Sequence, residues 1–118
     1  MSRGISTLPP QLQEQLARLQ QLQQTLQVVV AQKQQLELER SEIETALGEL
    51  EKMSDDAVIY KSIGSILVKV ERQKIMNGLR ERDELLNTRV IVLSRQQKRA
   101  EERINELQKS LQARLRAS

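Results

Sequence analysis

The 118-residue sequence contains no cysteine, histidine, tryptophan or phenylalanine, and Tyr60 is its sole aromatic residue. Without cysteine there is no disulfide, no thiolate nucleophile and no thiolate-held metal. Without histidine the commonest general base and the commonest metal ligand are both missing. Ser, Asp and Lys occur, but nothing in the pattern points to a concave site that would arrange them. No apolar run approaches the roughly 20 residues that span a bilayer. Met1 to Pro10 lacks the apolar centre of a signal peptide. The expectation is a cytoplasmic, non-enzymatic protein with no catalytic residues, metal, cofactor or membrane partner. The shortage of aromatic bulk also bears on the fold. A globule of this length needs large side chains to fill its interior, whereas a seam between helices needs only a line of medium ones.

What the chain does contain is Leu, Ile and Val set apart by Gln, Glu, Arg and Lys, the composition of long helices. Pro9 and Pro10 suit a first helical turn, where a missing N–H costs nothing. Beyond them leucine recurs every seven residues. One line runs Leu12, Leu19, Leu26, Lys33, Arg40, Leu47, and a second runs Leu8, Gln15, Leu22, Val29, Leu36, Ile43, Leu50. As heptad positions a and d, ten of these thirteen are apolar, which identifies a coiled-coil helix over residues 8–54. A second helix over 72–116 has Met76, Asp83, Val90, Gln97, Ile104, Leu111 at a, and Leu79, Leu86, Leu93, Ala100, Leu107, Arg114 at d. Asn77 and Gly78 weaken its start by about 1 kcal/mol relative to Ala, so it is expected to become regular only after Gly78.

Between the helices the period changes to that of strands. β-Branched runs at 57–62 and 66–70 flank Ile63-Gly64-Ser65, the pattern of a β-hairpin over 57–70 with Gly64 in the turn. Folding the helices antiparallel about it sets Leu50 against Leu79, Ile43 against Leu86, and Lys33 against Gln97. Gln15 falls opposite Arg114. Arg40 opposite Val90 and Leu47 opposite Asp83 are mismatched, and their polar groups are expected to reach solvent. Flanking charges place Glu51 near Arg80 and Glu39 near Arg89, weak pairs that help fix register. The expected fold is mainly α: a single domain over 1–118, a long antiparallel two-helix coiled coil with a central β-hairpin.

Two ends of this arm differ. Helices of about 45 residues extend roughly 65–70 Å from the hairpin. The hairpin has apolar residues on both faces, Val58, Tyr60 and Leu67 on one and Ile59, Ile63, Ile66 and Val68 on the other. Two strands alone are marginal in water and leave both edges open. Hairpins from several chains joining in one sheet or intersubunit β-barrel would supply the missing cover. At the end carrying the termini, Leu16 and Leu115 lie outside the seam beside Leu12, Leu19 and Leu111, with Ile5 and Leu8 preceding. That reads either as a soft apolar surface able to hold non-native protein or as a wider seam with frayed ends.

Charge leaves a further alternative. Residues 8–54 carry four basic and seven acidic side chains, and residues 61–118 carry fourteen basic and seven acidic. A basic helix pairing with an acidic one explains this asymmetry. Nucleic-acid binding through Arg89, Arg95, Lys98, Arg99 and Arg103 is disfavoured, because Glu101, Glu102 and Glu106 alternate with them and no aromatic residue is there to stack on bases. A coiled-coil scaffold or tether with no client role also fits the heptads, but it does not call for the hairpin.

The hairpin string Val58-Ile59-Tyr60-Lys61-Ser62-Ile63-Gly64-Ser65-Ile66-Leu67-Val68-Lys69-Val70 resembles that of prefoldin beta-type subunits, which carry tyrosine-lysine, then aliphatic-glycine, then leucine-valine-lysine here. The family's layout of two helices around one hairpin covers the whole chain. An alpha-type subunit would need two hairpins. Asn77-Gly78 departs from the family pattern, and the basic, short-tailed chain looks more like the archaeal type. The resemblance implies a hexamer of two alpha-type and four beta-type subunits joined through β-barrels, acting as an ATP-independent holdase. Such a complex captures unfolded polypeptide at the coiled-coil tips and passes it to a group II chaperonin. Carried onto this sequence, the oligomerisation residues are Val58, Ile59, Tyr60, Ile63, Ile66, Leu67, Val68 and Val70. The client-binding candidates are Ile5, Leu8, Leu12, Leu16, Leu107, Leu111 and Leu115, and Lys109, Arg114 and Arg116 are candidates for chaperonin docking.

Overall fold

The computed structural model describes residues 8–117. Helix α1 spans Pro10–Glu51, strands β1 and β2 span Ile59–Ile63 and Ile66–Val70, and helix α2 spans Arg72–Ala117. The two long helices and the antiparallel hairpin between them are the mainly α fold expected. The chain divides into two units, one formed by residues up to Lys33 with those from Val92 onward, the other by Gln34–Ile91.

Helix α1 starts where its prolines direct. The Pro9 carbonyl accepts from the amides of Leu12 and Gln13 at 3.0 and 3.1 Å, and Pro10 occupies the first helical position, where no N–H is needed. The Gln13 side chain donates back to the Leu8 carbonyl at 2.8 Å, closing the entry. At the other end α1 stops at Glu51, three residues short of the expected 54. The Met53 amide turns back to the Leu50 carbonyl, and Arg72 Nε donates to the same oxygen at 2.7 Å. The Arg72 guanidinium also reaches Asp55 at 2.9 Å. One side chain at the start of α2 thus gives a last-turn carbonyl of α1 a second donor and ties down the turn before β1.

In the Gln34–Ile91 unit the seam is a line of single aliphatic residues. Ile43, Leu50, Met76 and Leu86 are buried, and Leu86 is 0% exposed. All are heptad positions. Helix α2 is regular from Arg72 straight through Asn77 and Gly78, contrary to the later start expected. Met76 is buried beside them and Gln73 hydrogen-bonds Asn77 at 3.0 Å. Tertiary burial outweighs a glycine penalty of about 1 kcal/mol.

The mismatched polar residues of this seam resolve differently from expectation. Arg40 does not run out to solvent past Val90. Its Nε and Nη2 reach the two Asp83 oxygens at 2.9 and 3.3 Å, and Nη1 donates to Asn87 Oδ1 at 2.9 Å. Asp83 lies seven residues, about two helical turns, nearer the hairpin than the residue expected opposite. The fork geometry is the bidentate kind that fixes orientation as well as charge. Glu39 likewise pairs with Arg82, at 2.7 and 3.2 Å, instead of Arg89. Glu51 meets Arg80 as expected, at a loose 3.8 Å.

In the unit containing both chain ends, Leu12, Val29, Ala100, Ile104 and Leu111 form the buried line. Lys33 donates to Gln97 Oε1 at 3.3 Å, so two polar seam residues satisfy each other in the expected register. Gln15 and Arg114 line one shallow groove but are not hydrogen-bonded, and Gln15 Oε1 is buried without a protein partner.

Candidate functional site

The hairpin is built on a two-residue turn. Ile63 pairs with Ile66, leaving Gly64-Ser65 between the strands. Gly64 has φ 59° and Ser65 has negative φ, the II′ arrangement in which glycine takes the first central position and the turn matches the strand twist. The rest of the register is Ser62 with Leu67, Lys61 with Val68, Tyr60 with Lys69 and Ile59 with Val70.

Alternation along the strands then decides the faces. Ile59, Lys61 and Ile63 share one face with Ile66, Val68 and Val70. Tyr60 and Ser62 share the other with Leu67 and Lys69, as the sequence pattern divides them. Val58, Tyr60, Ile63, Ile66, Leu67 and Val68 are all exposed, Ile66 and Leu67 at 64% and 67%, while Ile59 and Val70 are half-buried. The sheet has two strands, so each keeps one backbone edge unpaired among the described residues. Burying a fully exposed Ile or Leu contributes about 1.5–3 kcal/mol. Six exposed apolar side chains and two open edges make a surface suited to association.

The residues singled out near the termini are placed less openly. Leu12 and Leu111 are buried, Leu8, Leu16 and Leu107 are half-buried, and Leu115 is 51% exposed. Ile5 lies outside the described residues. Lys109, Arg114 and Arg116 are exposed, and the last two also sit in the final turn of α2, where a positive charge opposes the helix dipole. The pattern of leucines here is therefore first a seam. What the heptads could not distinguish was burial against the partner helix from display to solvent.

Three carboxylates are held below their ordinary range: Asp56, chiefly by a hydrogen bond from Ser54 in the turn before β1, and two that lie between the helices. Asp83 is held below the usual carboxylate range, first by its hydrogen bonds from Arg40 and then by that residue's charge, against the effect of partial desolvation. Glu39 is lowered chiefly by its hydrogen bond from Arg82, with burial opposing and the charges of Arg82 and Arg89 adding. Asp83 and Glu39 both belong to interhelical contacts. Among the described residues no group of three or more potential metal ligands comes together, and no helix is long and apolar enough to cross a membrane.

A family model described as prefoldin subunit matches residues 13–118. The chain belongs to the prefoldin family. Among its relatives, prefoldin subunit beta of Methanothrix thermoacetophila is 46% identical over 104 residues, covering 88% of this chain and 87% of that one. Prefoldin subunit beta of Pyrococcus furiosus is 42% identical over 112 residues, covering 95% and 96%. The crystal structure of the prefoldin beta subunit from Thermococcus strain KS-1 superposes with a TM-score of 0.85 at 43% identity, covering 93% of this chain and 96% of that one. The beta2 subunit of the same strain, at 22% identity and a TM-score of 0.69 over 77% and 97%, shares the fold. The beta-type resemblance of the hairpin string is thus matched across nearly the whole chain. Prefoldins are chaperone subunits that form complexes with other prefoldin subunits.

Proposed function

We propose that this chain is the beta-type subunit of a cytoplasmic, ATP-independent holdase, acting without catalysis. The complex is a hetero-hexamer of two alpha-type and four beta-type subunits, in which Val58 to Ser62 and Ile66 to Val70 of each copy enter an intersubunit β-barrel. The observation that supports it most is the hairpin: both faces apolar, both edges open, and no part of the same unit folded over Ile66 or Leu67.

Unfolded clients bind at the coiled-coil tips through Ile5, Leu8, Leu12, Leu16, Leu107, Leu111 and Leu115, and are passed to a group II chaperonin that docks near Lys109, Arg114 and Arg116. Because Leu12 and Leu111 are buried, their share of client capture requires the terminal turns to open. Helix ends are where such local opening costs least. Many weak apolar contacts on several arms then combine by multivalency and remain reversible.

The burial of Leu12 and Leu111 also favours a second reading, a coiled-coil scaffold or tether that holds no client. The deciding experiment is aggregation of a chemically denatured protein, followed by light scattering, with this chain and an alpha-type subunit present. Suppression without ATP supports the holdase. Suppression that needs ATP, or none at all from an assembled hexamer, overturns it, and the second of these outcomes leaves the scaffold. Removing residues 1–10 and 108–118 should weaken suppression and leave the hexamer intact.

A further inference from the structure

Ion pairs are unevenly spread along the chain. Among the described residues every one joins two members of the Gln34–Ile91 unit, which carries nine basic and twelve acidic side chains. In the unit containing both chain ends, residues 8–33 and 92–117 carry nine basic and four acidic side chains. None of these nine bases is ion-paired among the described residues, and Lys33 is held by the neutral Gln97. The positive charge of this unit is therefore not consumed by its own fold.

A furrow between α1 and α2 gathers part of that charge. Arg18 and Arg103 line its first stretch together with Leu22 and Leu107. Arg18 continues into a second stretch with Gln15 and Arg114, and Arg114 into a third with Leu12 and Pro9. The three arginines are exposed, whereas Leu22 and Leu107 are half-buried and Leu12 is buried. Glu14 and Glu106 also line the furrow, without an ion pair among the described residues, so one positive charge is in excess. Gln15 Oε1 is buried there and lacks a protein donor.

The chemistry of this furrow fits an extended polypeptide better than a nucleic acid. Bases would need a stacking platform, and Tyr60, the sole aromatic residue, belongs to the other unit. Leucines set between arginines can instead bury apolar side chains while the guanidinium forks receive carboxylates. A peptide N–H can supply the donor that Gln15 Oε1 lacks.

We propose that the terminal unit selects clients by charge, the furrow of Arg18, Arg103 and Arg114 taking extended segments that carry Asp or Glu among apolar residues. This rests on the holdase reading and adds a substrate class to it. The unneutralised bases of the unit also speed encounter with acidic chains and slow encounter with basic ones.

The test uses the hexamer assembled from the full-length chain and an alpha-type subunit. Two synthetic unfolded peptides of equal leucine content are offered, one interspersed with glutamate and the other with lysine. Fluorescence anisotropy at low salt should show the glutamate peptide bound about tenfold more tightly, the size expected of several exposed charge pairs together. That preference should shrink as salt rises. Arg18→Gln/Arg103→Gln alters two exposed positions, where stability changes little. It should remove most of the preference and leave the lysine peptide bound no more weakly than before. Equal binding of the two peptides overturns the charge selection and leaves the holdase standing. A preference that survives the double substitution overturns the furrow. Displacement of the glutamate peptide by a single-stranded oligonucleotide as readily as by unlabelled peptide overturns the choice of polypeptide as occupant. Failure of the hexamer to bind either peptide overturns both readings.

Discussion

Ile43, Leu50 and Leu86 in the helical seam and Ile66, Leu67 and Val68 in the hairpin are the same kinds of residue within one 58-residue unit, Gln34–Ile91. The first three are buried and the last three exposed. The seam finds its partner in the same chain because a heptad repeat gives two helices matching stripes. The hairpin cannot, because alternation along two strands sends apolar side chains to both faces and two strands offer nothing to cover either one. Internal stability and the capacity to associate therefore rest on separate residues, although their chemistry is shared. Separation of this kind can be broken experimentally from either side.

The largest effect is expected in the hairpin. Ile66→Asp places a charge on a face that assembly would bury, where an unpaired carboxylate is strongly unfavourable. Association with an alpha-type partner should fall by at least about a hundredfold. The thermal stability of the unassembled chain should change by no more than about 0.5 kcal/mol, as for other exposed sites. Light scattering and a circular-dichroism melt on the same sample read the two quantities. A large loss of chain stability would mean that the hairpin supports the helices and is not a separate surface.

Leu86→Ala tests the other side. The side chain is 0% exposed, and removing it should cost about 2–4 kcal/mol from lost burial and an incompletely collapsed cavity. Association, corrected for the folded fraction, should be unaltered. A denaturant titration at constant slope would measure the loss.

A third effect is smaller and depends on acid. Asp83 and Glu39 are held below their ordinary values by Arg40 and Arg82. For a depressed carboxyl the stabilisation is complete above the unfolded value, about 3.9 for Asp and 4.3 for Glu. It is lost as pH falls through the folded value. Helical stability should decline below about pH 4, and Asp83→Asn should flatten that decline. Hairpin association, which uses no carboxylate, should weaken only as the chain itself unfolds.

The periodicities carried most of this fold. Period seven placed the seam and period two placed the hairpin, and both survive because each period is that of the backbone element which carries it. Where the sequence reading failed, the physics involves long polar side chains or local competition. Arg40 bonded a residue about two helical turns from the one that position-by-position pairing sets opposite it. Glu39 took Arg82 over Arg89, both of which lie within reach of a flexible carboxylate. Asn77-Gly78 looked like a helix start by propensity alone, yet Met76 beside them was already committed to the seam. The hairpin surface was legible since exposure on both faces follows from topology. The terminal leucines were not, because heptad positions specify which residues can pair and say nothing of how far the last turns stay closed.

The smallest expected effect concerns Glu51 and Arg80, which meet at 3.8 Å near the end of the seam that adjoins the hairpin. Both side chains are about half exposed, so water and salt screen the pair, and holding two long side chains in one geometry costs entropy. Glu51→Gln should lower chain stability by less than about 0.5 kcal/mol, and a double-mutant cycle with Arg80→Gln should give a coupling that shrinks toward zero as salt rises. Such a pair can still matter for register, because shifts of three or four residues would bring Arg80 opposite Gly48 or Leu47. The distinction is measurable with a spin-label distance between the helices. If Glu51→Gln leaves stability nearly unchanged but broadens that distance, the pair selects alignment. If the distance is also unchanged, Leu50 and Leu86 fix the register through burial alone, and the boundary between seam and hairpin is set without help from charge.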